Sequence, residues 1–334
     1  MSIIKKYRSY ISKILMTTLF ICSIFKCDMN VFASSAGDKY IDGYIIYNNA
    51  LYSKGHYNED KSRYSFNGLK SIKLFFPKST MSIIPVPMSQ IMIEDVKNLN
   101  NPLSSQSQFI DKMRQEVEGT NIKIIDVCDT FLKHKNEYLY CKYDHHWQSL
   151  GAYYAYKDFC EENGLECDDI SEYRKVVLNE NYRGGAYKKI VIHDKSIEEY
   201  GDVLTAYIAS VSNVMKIYDE SNRIISNGKP CINEKQNAYW GAYLTGDHPW
   251  TVIDSKIDKN KTALVIKDSF GCCFVPYLVS NYNKVYVVDP RFASFNIVEK
   301  MKGIKIDDII VVCANYTLGQ ANFYNGIENI LPKA

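Results

Sequence analysis

The stretch Ala263-Leu264-Val265-Ile266-Lys267-Asp268-Ser269-Phe270-Gly271 decides the fold. Four apolar residues in a row, closed by charged ones, read as a strand buried on both faces. The residues from 270 to 279 then read as a helix. The same alternation recurs downstream. Val285-Tyr286-Val287-Val288 and Ile309-Ile310-Val311-Val312 are further buried strands, followed by helices over 296–301 and 322–330. Strands that alternate with helices build βαβ units, so the chain is expected to be α/β with a mostly parallel sheet. Such sheets bind ligands beyond the carboxyl ends of their strands. Asp268-Ser269, Asp289-Pro290-Arg291 and Asn315-Tyr316 fall there.

Upstream, Leu69, Ile72, Phe75 and Phe76 recur at helical spacing. Met81-Ser82-Ile83-Ile84-Pro85-Val86-Pro87 reads as a buried strand stopped by prolines. Phe109, Met113 and Val117 mark another helix, and 122–127 and 138–141 two strands. Residues 150–162 read as a helix with Gly164 as its C-cap. Nearer the start, Gly43 and Gly55 signal turns and 44–51 one short strand. Residues 170–250 are less regular. Strand-like pieces at 188–192 and 214–218, with loop chemistry at Arg183-Gly184-Gly185 and Asn227-Gly228, suggest an inserted β-rich element.

Residues 1–33 read as an export signal. Lys5, Lys6, Arg8 and Lys13 precede an apolar run over 14–25, and Val31-Phe32-Ala33 offers a cleavage site. The run is short for a membrane span, though an uncleaved anchor is an open alternative. The expected division is thus a signal over 1–33 and a catalytic domain over 34–334. The protein is expected outside the cytoplasm. The formal charge of the 334-residue chain is +2, but the signal holds five basic residues against Asp28 alone, so the remainder is slightly acidic. That excludes an electrostatic case for nucleic-acid binding. Export permits disulfides, and Cys160 and Cys167, flanking Glu162-Asn163-Gly164, are the local candidate pair. The 27 tyrosines suit a sugar-binding surface, or reflect a compositional habit.

Ser269, between a strand and a helix, sits where a hydroxyl stands on a sharp turn above the sheet. The amides of Phe270 and Gly271 open the helix and could hold an oxyanion. An N-capping serine is the other reading. Asp144-His145-His146-Trp147 is the densest polar cluster. A carboxylate two residues from a histidine can fix the tautomer of a base that serves a serine. Two histidines and Asp144 could also ligate zinc. No HExxH or CxxC is present, and neither a metal nor a cofactor is expected.

Tyr143-Asp144-His145-His146-Trp147-Gln148-Ser149-Leu150-Gly151-Ala152-Tyr153-Tyr154-Ala155-Tyr156 resembles the signature of the bacterial DHHW family, and Lys267-Asp268-Ser269-Phe270-Gly271 with 286–291 resembles its second block. The family sits with SGNH-hydrolase-like proteins that include the alginate O-acetylation proteins. The resemblance implies a three-layer α/β fold, circularly rearranged because Asp-x-His precedes the serine. It implies a catalytic triad of Ser269, His146 and Asp144, with His145 at the variable position. It further implies O-acetylation of a cell-surface or secreted polysaccharide through an acyl-serine, with an MBOAT-type membrane acyltransferase as donor partner. A carbohydrate acetyl esterase and an inactive glycan-binding protein are the alternatives. Arg291, Asn315 and Tyr316 are expected to line the cleft. Where SGNH enzymes place an Asn oxyanion donor, this chain has Asp247, which when ionised can only accept hydrogen bonds and cannot replace that donor. Either another donor acts, the Arg183-Gly184-Gly185 amides among the candidates, or Asp247 orients His248.

Overall fold

The computed structural model of the protein describes residues 39–53, 58–93 and 102–333. The expected export segment and the turn at Gly55 lie outside them. No helix among the described residues is long and apolar enough to cross a membrane.

Thirteen strands, numbered in chain order, are described. The first three, β1 (Lys39–Ile41), β2 (Tyr44–Tyr47) and β3 (Ala50–Ser53), form an antiparallel meander. The single strand expected over 44–51 is therefore two. Asn48 and Asn49 both take positive φ, 45° and 57°, which asparagine tolerates and a tight hairpin turn demands.

An eight-stranded sheet forms the frame. It contains β4 (Thr80–Val86), β5 (Ile122–Ile124), β8 (Asn213–Tyr218), β9 (Ile224–Lys229), β10 (Trp250–Ser255), β11 (Thr262–Lys267), β12 (Lys284–Val288) and β13 (Asp308–Ala314). Their order is β5-β4-β13-β11-β12-β10-β8-β9. The five strands from β5 to β12 run parallel, and antiparallel pairings begin at β10. The sheet is covered on both faces, which is why its central strands are apolar at nearly every position. Side chains alternate: Ile84, Val265, Ile310 and Val312 enter one core, and Ile83, Leu264, Ile266 and Val311 the other. Helix α3 (Ser149–Asn163) packs in the first core. Helices α1 (Glu59–Phe75), α2 (Pro102–Glu116) and α4 (Ala321–Asn329) pack in the second. The protein is thus a three-layer α/β fold with a mostly parallel sheet.

Of residues 170–250, β6 (Arg174–Tyr182) and β7 (Asp202–Ile208) pair only with each other, while β8 and β9 extend the main sheet. Residues 188–192 are not a strand. Gly185–Ile190 is a helix that buries Ala186, Tyr187 and Ile190, a helical spacing. The helix expected over 270–279 is regular only over Gly271–Phe274. It tightens to a 3₁₀ turn over Val275–Ser280, because Pro276 has no N–H for the helical ladder. Residues 138–141 form no full strand, only a bridge between Tyr140 and Trp147. Cys160 and Cys167 carry free thiols, as do the other six cysteines of the described residues.

Candidate active site

Strand β11 ends at Lys267, and the chain turns sharply through Asp268 and Ser269. The turn is fastened by the buried Asp268 carboxylate, which accepts from the amides of Phe270 (2.8 Å) and Ala314 (3.0 Å) and from the Thr317 hydroxyl (2.8 Å). The end of β13 thereby holds the loop after β11. Burial pushes the Asp268 carboxyl up, against the opposing pull of Arg291 and these donors. Gly271 is required by packing: a Cβ there would lie 2.5 Å from Cβ of Lys267.

Residues 141–146 form the tip of a small hairpin. The Cys141 amide donates to the His146 carbonyl (3.0 Å) and the Gln148 amide to the Leu139 carbonyl (2.8 Å). The buried Asp202 carboxylate accepts from the amides of Lys142 (2.6 Å) and Tyr143 (2.9 Å) and from the Tyr138 hydroxyl. Trp147, fully buried, donates its indole N–H to the Phe270 carbonyl at 3.0 Å. The hairpin is thus tied directly to the Ser269 turn. Gln148 occupies the N-terminal cap position of α3, and the Ser149 hydroxyl pairs with Tyr277 at 2.7 Å.

Three side chains distant in sequence meet here. The His146 Nε2 atom lies 2.9 Å from Ser269 Oγ, and its Nδ1 atom 2.5 Å from Asp144 Oδ1. Ser269 keeps 8% of its surface open to solvent, whereas His146 and Asp144 are buried. Asp144 Oδ2 accepts from the Gly185 amide at 2.7 Å and from the Tyr182 hydroxyl at 3.4 Å. A Cβ on Gly184 would lie 1.8 Å from that oxygen. Arg183-Gly184-Gly185 therefore does not face an oxyanion; it seats the carboxylate. Burial pushes Asp144 up, but the facing His146 imidazole, His145 and the Gly185 amide together outweigh it and hold the carboxyl well below the usual carboxylate range. His145 lies with its ring 3.9 Å from that of His146. Burial, then the neighbouring His146, press its pKa down to about 3.

The amides expected to form an oxyanion hole are already engaged. Phe270 donates to the Asp268 carboxylate and Gly271 to the Asp268 carbonyl (3.1 Å). Asp247 does not orient His248, whose Nε2 sits 3.2 Å from Thr245. Instead Asp247 joins a buried quartet with Lys267 (2.6 Å), Arg291 (2.7 Å) and, through them, Asp289. Arg291 contacts Asp289 through Nε (2.9 Å) and a terminal nitrogen (2.6 Å). Burial alone would lower both the Lys267 and the Arg291 pKa, but Cys272 and the two carboxylates raise that of Lys267, and the carboxylates, Asp289 first, raise that of Arg291, so both cations stay charged. Asn315 is buried at the start of the turn after β13. The neighbouring Tyr316 phenol is pushed up to about 12 by burial and by the charge of Asp268.

Several residues at the site were not singled out from the sequence. The Tyr239 ring stacks on the His146 imidazole, with centroids 4.3 Å apart and planes 17° apart. Trp240 stands edge-on to the same imidazole. Tyr44 of β2 packs in a buried cluster with Tyr143 and Tyr187, beside the Asp144 hairpin, and burial and the Asp144 charge push its phenol up. Their common signal is aromatic residues beside turn residues, too frequent in a Tyr-rich chain to single out.

Ligand atoms of Asp144, His145 and His146 lie within 4.8 Å of one another, so these three could hold a cation. A cation there would displace the Ser269 or Asp144 contact, since both His146 nitrogens are already paired.

A comparison with curated proteins returned no match. Among solved structures, a DHHW family protein from Eubacterium siraeum superposes with TM-score 0.77 at 21% identity, covering 89% of this chain and 99% of that one. Bacillus cereus PatB1, solved with a sulfonyl adduct, gives TM-score 0.67 at 16% identity, covering 86% and 97%. The O-acetyltransferase domain of Pseudomonas putida AlgJ gives 0.52 at 11% identity, covering 86% and 99%. The family profile described as DHHW protein matches residues 30–288, which takes in the hairpin, the Ser269 turn and most of the sheet. The chain belongs to the DHHW family, on an SGNH-hydrolase-like fold.

Proposed function

We propose that the protein is an extracytoplasmic O-acetyltransferase that esterifies hydroxyls of a polysaccharide through an acetyl-serine at Ser269. The observation that carries this reading is the continuous Ser269–His146–Asp144 hydrogen-bond chain at the carboxyl ends of the parallel strands. The fold shared with the AlgJ O-acetyltransferase domain supports it.

In the first half-reaction, His146 Nε2 takes the Ser269 proton as Oγ attacks the acetyl carbonyl. The tetrahedral intermediate collapses, and the departing oxygen takes that proton from His146. In the second half-reaction, an acceptor hydroxyl gives its proton to His146 and attacks the acetyl-serine. Ser269 recovers the proton as it leaves. Asp144 remains ionised throughout, holding Nδ1–H and stabilising the imidazolium. Tyr316, whose phenol stays protonated, and Asn315 serve as polar lining of the cleft. A membrane acyltransferase of the MBOAT type is the donor partner that the family relationship suggests.

The test compares wild type with Ser269→Ala on p-nitrophenyl acetate, with and without an oligosaccharide acceptor. Wild type should release p-nitrophenol, and Ser269→Ala should lose on the order of 10³-fold or more. Mass spectrometry of the products separates transfer to sugar from hydrolysis. Ester cleavage without acetylated sugar would make the protein an esterase. Sugar binding with no chemistry would make it a binding protein.

A further inference from the structure

We propose that Trp240 is the stacking platform of an acceptor subsite that takes a neutral pyranose ring beside Ser269 and His146. The inference rests on the acyl-transfer reading for its place in the reaction, but its binding chemistry can be tested separately.

The segment Tyr239–Ala242 is a single helical turn whose two aromatic residues differ in exposure. Tyr239 is buried under the His146 imidazole. Trp240 is 49% exposed, with its ring perpendicular to that imidazole and centroids 6.3 Å apart. The other tryptophans, Trp147 and Trp250, are buried. An exposed tryptophan at that distance from the reacting pair is placed at the mouth of the site. It is also seated rather than loose. Gly246 takes φ +109°, and a Cβ there would stand 3.3 Å from Cε3 of Trp240. The next residue, Asp247, pairs with Arg291. The Arg291 guanidinium lies 5.4 Å from the ring centroid of Phe292, which is 42% exposed. The rim thus runs from one exposed ring through a fixed guanidinium to another.

An indole face accepts the C–H face of a pyranose, while the sugar's hydroxyls stay at the ring edge. The neighbouring charge selects among sugars. Arg291 and Lys267 are matched one for one by Asp247 and Asp289. Arg291 and Lys267 therefore have no charge left over for an anionic ligand, and the fixed charges beside Trp240 favour a neutral hexose or pentose ring over a uronate.

The experiment uses wild type, Trp240→Ala and Trp240→Phe. Each is assayed for p-nitrophenyl acetate cleavage and for acetyl transfer to chitopentaose, cellopentaose, xylopentaose and a uronate pentamer. Saccharide quenching of tryptophan fluorescence is read in parallel, since the exposed indole is Trp240. Wild type should accept a neutral saccharide in preference to the uronate. Trp240→Ala should raise KM for that saccharide about tenfold, roughly 1.4 kcal/mol, with a smaller loss on p-nitrophenyl acetate. Trp240→Phe should recover most of the affinity, and both variants should lose the quench. Equal KM in wild type and Trp240→Ala overturns the platform, as does preference for the uronate. Ser269-dependent ester cleavage with no saccharide bound or acetylated also overturns it while leaving the acyl-serine chemistry intact. A Trp240-dependent quench in a protein that cleaves no ester keeps the platform and removes the acyl-transfer reading.

Discussion

At the scale of single residues, the candidate site depends on what holds Asp144. Its Oδ2 is fixed by the Gly185 amide in a pocket that admits no side chain at Gly184. Gly184→Ala should displace the carboxylate and lower kcat on p-nitrophenyl acetate at least about tenfold, whereas Tyr182→Phe, losing a 3.4 Å contact, should cost less. His145 makes a prediction about pH. Its folded pKa of about 3 lies below its unfolded value near 6.5, so the unfolded chain binds a proton that the native one refuses. Its contribution to stability is present above about pH 6.5 and lost as pH falls toward 3. His145→Gln should flatten the fall in Tm between pH 7 and pH 4.5, measured by thermal denaturation. Asp144, His146 and Ser269 were legible because the pattern around each is dense and local. Gly184 was read for an oxyanion role it does not have, and Tyr239 and Trp240 were not read at all, because each gains its role only by a contact across dozens of residues.

At the scale of elements, the buried parallel strands were legible because apolar runs covered on both faces leave little ambiguity. The antiparallel half was harder. Strand β10 carries Thr251 and Asp254 among apolar residues, and the helix at Gly185–Ile190 is only six residues long. The hairpin bearing Asp144 and His146 has few ladder bonds of its own and relies on Asp202, which lies 58 residues beyond Asp144. Burial pushes the Asp202 carboxyl up to about 6, yet it caps two amides of the hairpin. Asp202→Ala should leave those donors unsatisfied and destabilise the fold by about 1–3 kcal/mol in denaturant titration. Lys267→Met, which leaves the buried Asp247 and Asp289 carboxylates to share Arg291 alone, should cost about 3–5 kcal/mol by the same measurement.

At the scale of the whole molecule, the layered architecture gathers at one sheet edge groups that come from four regions of the chain. The loops after β11, β12 and β13 supply Ser269, Arg291 and Tyr316. The hairpin before α3 supplies the imidazole and carboxylate. The turn at 239–242 supplies the aromatic wall, and the meander brings Tyr44. A strand-and-helix pattern predicts the edge but not which distant loops will cover it, so the residues that wall the site had to come from the structure. The central claim is that Ser269 is an activated nucleophile. Intact-mass and peptide analysis after brief exposure to phenylmethylsulfonyl fluoride tests it most directly. A single sulfonyl adduct on Ser269, lost or greatly slowed in His146→Gln, is the predicted result. An unmodified Ser269, or one modified equally fast without His146, would contradict it.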